Sequence, residues 1–162
     1  MLIILGLCSW AVTLYSMRVA LLGNPLQRLM VRTPRGAFQH AHELAEAGRL
    51  QPGTPESCLL QTFSHLTLLE IAAFVFELAV LVYLLCASPV VSGTFWLALA
   101  LFGKDLLAAG FSMIAARRQR GAESMIDYLY GLPGWLVRLD RLSSLVSGVG
   151  FAALFLVAAG VV

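Results

Sequence analysis

From Ser64 to Ala87 the chain reads SHLTLLEIAAFVFELAVLVYLLCA, and from Gly93 to Ala116 it reads GTFWLALALFGKDLLAAGFSMIAA, with only SPVVS (residues 88–92) between them. A helix crosses the hydrocarbon of a bilayer with about 20 mostly apolar residues. Both runs meet that length. In that layer no water is present to satisfy backbone N–H and C=O groups, so such runs close their hydrogen bonds within a helix. Ser88-Pro89 ends the first run. The short connection predicts a tight antiparallel hairpin.

Two further runs lie outside this pair. Leu2 to Leu22 is apolar apart from small or interfacial residues (Ser9, Thr13, Tyr15, Ser16), and Arg18 can snorkel at its end. Asn24-Pro25 stops it. This run has no basic stretch before it and outlasts a secretory signal, so it reads as a retained span. Ser143 to Val162 is the last run. The expected fold class is therefore all-α: a polytopic integral membrane protein, one membrane domain over residues 1–162, with four spans at about 2–22, 64–87, 93–116 and 143–162.

Composition agrees. Hydrophobic residues make up 59% of the 162 and charged residues 12%, against roughly half and a quarter in soluble domains. Lipid has to cover what charge does not. The formal net charge is +2, too weak a balance to suggest nucleic acid as a partner. Apart from Arg18 and Lys104, all Lys and Arg lie in segments 28–49 and 117–141. The positive-inside rule then places both long loops, 23–63 and 117–142, in the cytoplasm and both termini on the opposite side.

The first loop carries an amphipathic helix from about Gly36 to Arg49, and the turn-rich QPGTP at 51–55 precedes Thr54 or Ser57 as a cap for the second span. In the second loop Met125, Ile126, Tyr128, Leu129, Tyr130, Leu132 and Trp135 suit the headgroup layer. Leu136, Leu139 and Leu142 continue from there as an interfacial helix into the fourth span.

The residues that ask for an explanation are charged and inside spans: Glu70, Glu77, Lys104 and Asp105. Each costs at least about 2.5 kcal/mol at mid-bilayer on insertion scales. Glu77 precedes, and Lys104 follows, the midpoint of the hairpin turn by equal numbers of residues, so an antiparallel pair puts them at one depth. An ion pair between them reduces the burial cost of each. Asp105 is turned about 100° from Lys104 and is expected to need another partner: a different helix, a second subunit or a proton. Glu70 lies about 10 Å from Glu77 on nearly the same helix face. In the fourth span Ser144, Gly148 and Ala152 form a small-residue stripe suited to close helix packing.

Other chemistry is sparse. His40 and His42 point about 200° apart on a helix, and His42 with Glu46, or His40 with Glu43, supplies only two ligands, so no metal site is expected. The three cysteines, Cys8, Cys58 and Cys86, form no C-x-x-C. No P-loop, G-x-S-x-G, H-E-x-x-H or G-x-G-x-x-G is present, so neither catalytic residues nor a cofactor is expected. The layout resembles that of the membrane-associated eicosanoid and glutathione enzymes, with four spans and a long first cytoplasmic loop. Their loop motif has no copy here, since His40-Ala41-His42-Glu43 lacks its Asn and flanking Arg, and no residue role is carried over.

Three functions fit these observations. The first is a structural or accessory subunit that assembles with other membrane subunits or with itself in the lipid bilayer, its intramembrane charges fixing assembly. The second is proton or cation translocation through Glu70, Glu77, Lys104 and Asp105. The third is an enzyme or binder acting on an anionic amphiphile, where Arg35, Arg117, Arg118, Arg120 and Trp135 meet its headgroup or a partner.

Overall fold

A computed structural model describes residues 2–118 and 130–158, with side chains over 4–114 and 130–157. Every element among them is a helix: α1 Leu2–Leu22, α2 Pro25–Arg32, α3 Arg35–Glu46, α4 Pro55–Ala87, α5 Gly93–Arg118 and α6 Gly134–Ala158. Four helical stretches are long and apolar enough to cross a membrane, centred on α1, α4, α5 and α6. Large apolar side chains on their outer faces are exposed, among them Leu7, Leu21, Ile71, Leu107 and Val149. An apolar exterior of this kind suits lipid and would be untenable in water. The chain is thus an all-helical protein with the build of a multi-pass membrane protein.

Local chemistry explains the helix ends, and three differ from expectation. Asn24-Pro25 stops α1 and also starts a helix. Gly23 takes φ +82, the left-handed turn after α1. Asn24 Oδ1 then caps α2 by accepting from Leu26 N at 2.9 Å, and Pro25 fills the first helical position. The start of α4 is Pro55, well before Ser64, because Thr54 Oγ1 accepts from Ser57 N at 3.3 Å. At 33 residues α4 is about 50 Å long, so it overshoots a hydrocarbon core of about 30 Å. The third difference is α6, which runs unbroken from Gly134. The interfacial helix and the fourth span are one element, since neither Pro nor Gly interrupts residues 135–147.

Helix α1 packs most extensively on α6, α4 packs on α5, and α5 on α6. Two apolar cores result. One gathers Val12, Leu81, Leu84, Leu101, Phe151 and Leu154 from all four spanning helices, towards the 88–92 turn. The other lies at the loop end, where Met30 and Phe38 meet Leu59, Phe63 and Tyr130. Here Phe38 stacks edge-on against Phe63 and Tyr130, with centroids 5.4 and 6.2 Å away.

Candidate functional site

Between these two cores lies a polar centre. Lys104, on α5, reaches into it with its ammonium 2.5 Å from Asp105 Oδ1 and 3.8 Å from Glu77 Oε1. Helix α6 supplies the rest of its shell: Ser147 Oγ at 2.6 Å, and Ser143 Oγ at 3.1 Å. The Ser147 hydroxyl in turn donates to Glu77 Oε1 at 2.5 Å. Ser147 therefore sits between the two charges, accepting from one and donating to the other. Its position four residues after Ser143 places both hydroxyls on one face of α6.

Asp105 departs from expectation. It was to need a partner on another helix, yet Lys104 beside it is its partner. The 100° rotation holds for the two Cα–Cβ directions only. A lysine carries its charge on a four-carbon arm that folds back over a neighbour. The Asp105 side chain is 5% exposed, and its Oδ2 has no hydrogen-bond partner.

Glu70 belongs to a second, linked polar group nearer the loops. Asn24 Nδ2 donates to Glu70 Oε2 at 2.8 Å, so the residue that caps α2 also ties it to α4. Gln27 Nε2 lies 3.5 Å from Asp140 Oδ2 on α6. An inner cavity of about 320 Å³ joins the two groups, and Tyr15, Glu70, Glu77, Lys104, Asp105 and Asp140 all border it. A smaller space of about 210 Å³ shares Asp140 and Ser143 with this cavity. It also shares Asn24 and Gln27 with a larger groove of about 810 Å³ at the loop end. Polar lining thus continues from the loop face to Lys104. Beyond Lys104, towards the turn, the packed apolar core closes the bundle.

The loop-end groove contains Arg35, together with Arg28, Arg32 and Arg141, which sequence reasoning did not single out. Tyr130 forms part of its wall and donates to Thr33 O at 2.5 Å. Burial pushes the Tyr130 phenol above its ordinary pKa. Arg117 and Arg118 end α5, with side chains outside the described set, and Arg120 and residues 125–129 lie outside the described residues. Trp135 is exposed on the first turn of α6.

The small residues of α6 face different neighbours. Ser144 borders the inner cavity. Gly148 lies so close to α1 that a Cβ there would come within 2.7 Å of Met17 Sδ. Ala152 is half-buried. Of the two histidines on α3, His42 Nε2 lies 3.3 Å from Glu46 Oε1. No group of three metal-ligating side chains forms among the described residues, and Cys8, Cys58 and Cys86 are free thiols.

The site is thus a charged, one-sided cavity inside a four-helix membrane bundle, and comparison with known proteins adds no relative to it: no family model, curated protein or solved structure matches the chain.

Proposed function

We propose that the protein takes up one small cation, a proton or an ion of sodium size, from its loop side into the Glu77–Lys104–Asp105 centre. The carrying observation is the buried, unpartnered Asp105 Oδ2 on the wall of a cavity lined by oxygen atoms. Charge balance supports it. Asp140 has Arg141 beside it, and Glu70 has Arg18 within electrostatic reach. That leaves two carboxylates, Glu77 and Asp105, facing one ammonium. A surplus negative charge in a low-dielectric interior attracts a cation. The apolar core beyond Lys104 fits uptake from one face, and passage to the other face requires that core to open.

A second reading has its own observation. Lys104 is held from α4, α5 and α6 at once, as a clamp that fixes helix register would be. Such a clamp serves an accessory subunit assembling with other membrane chains or with copies of itself. One experiment separates the two. Bound cation stabilises the folded state in proportion to the logarithm of its activity. Under the uptake reading the melting temperature of the purified protein rises with proton or sodium activity, and Asp105→Asn abolishes that slope. A slope unchanged in Asp105→Asn, with the melting temperature lowered throughout, overturns uptake in favour of the clamp.

A further inference from the structure

The groove at the loop end is not used by the reading above and differs from it in charge. Its volume is about 810 Å³, and four arginines border it, Arg28, Arg32, Arg35 and Arg141, with no Asp or Glu among its described lining residues. This is unusual in a chain whose carboxylates otherwise stand close to its cations. From the geometry we infer that the groove seats the phosphate of an anionic membrane lipid.

Three features support a lipid phosphate in particular. First, the arginines converge from separate elements. Arg28 and Arg32 are four residues apart, on one face of α2. Arg35 opens α3, and Arg141 comes from α6. Guanidinium groups bind phosphate oxygens through paired N–H donors. Second, the groove has an apolar side as well: Met30, Val31, Leu132 and Val137 line it with the arginines. A free phosphate has no use for such a wall, whereas the glycerol and upper acyl carbons of a lipid do. Third, the depth is right. The groove lies where α1 gives way to α2, next to the polar ends of the spans, and headgroups occupy that layer. Basic pockets between spanning helices at this depth suit anionic headgroups.

The local backbone makes room for this site. The Arg141 guanidinium lies over Gly23, where a Cβ would come within 2.8 Å of its Nη2. Gly23 is fixed as glycine twice, by this contact and by its positive φ. The same turn that ends α1 therefore holds an arginine against the groove.

The test is native mass spectrometry of the purified protein, titrated in detergent with phosphatidylglycerol, with phosphatidylcholine, and with inorganic phosphate as competitor. The expected result is a bound phosphatidylglycerol that phosphatidylcholine does not replace and millimolar phosphate does not displace. Arg28→Gln with Arg32→Gln should weaken it roughly thirtyfold, at the usual worth of an arginine near an anionic surface. Arg141→Gln, on the opposite wall, gives an independent variant should the double one not fold. Equal binding of the two lipids overturns the inference, as does unchanged affinity in a folded variant. Displacement by free phosphate overturns the lipid as the source of the phosphate.

Discussion

Ser147 is one hydroxyl, yet it answers two buried charges. It accepts from Lys104 and donates to Glu77. Removing a partner from a buried polar group costs about 1–3 kcal/mol, more when the group is charged. Ser147→Ala is therefore expected to destabilise the protein by about 2 kcal/mol. Lys104→Met, which strands two carboxylates at once, should cost about 3–5 kcal/mol. Adding Glu77→Gln to Lys104→Met should recover part of that loss. Unfolding in mixed micelles, followed by circular dichroism, measures all three, and additive single-site losses would refute the network. The sequence made part of this readable. Equal distances from a short turn put Glu77 and Lys104 at one depth before any coordinates were known. It did not expose Ser147, because which face of α6 meets the hairpin is set by packing between distant segments. Nor did it pair Asp105 correctly, since backbone rotation says little about where a long lysine arm ends.

Helix ends and helix crossings show the same division. The runs at 2–22 and 64–87 were legible from hydropathy, because span length is dictated by bilayer thickness. The start of α4 was set by Thr54 as a cap, within a polar stretch that hydropathy alone assigns to a loop. Asn24-Pro25 was read as a stop, although Pro at a first helical position is equally a start signal. The small residues of α6 were visible as a stripe, but their partner was not. That partner at Gly148 is Met17 of α1, part of the most extensive helix contact in the bundle. Gly148→Leu should separate α1 from α6 and cost about 1–3 kcal/mol, the usual range for overpacking. Met17→Ala in the same chain should return most of it. Gly36, in α3, has open space around its Cβ position, so Gly36→Ala should be neutral or stabilise by up to about 1 kcal/mol. Thermal melts of the four variants decide the matter. A loss at Gly148 that Met17→Ala leaves untouched would show that the glycine serves something other than this crossing.

At the scale of the whole bundle the claim is asymmetry: polar lining leads inward from the loop end and stops at Lys104, beyond which apolar side chains fill the interior. Water follows polar, roomy cavities and avoids packed apolar ones. Cysteine labelling with a charged, membrane-impermeant thiol reagent tests this directly. The three native cysteines are first replaced by Ala or Ser. Ala109→Cys, on the wall of the inner cavity, should then react from one side of the membrane only. That side should be the one that labels Gly36→Cys, on the exposed surface of α3. Ala98→Cys, fully buried in the core towards the turn, should react from neither side. A hydrophilic path through the bundle would instead let Ala98→Cys react, and the closed core would then have to be an opening gate. Failure of Ala109→Cys to react from the loop side would remove the aqueous entry on which cation uptake depends. The charged centre would then be a sealed clamp, and its single ammonium would serve helix register alone.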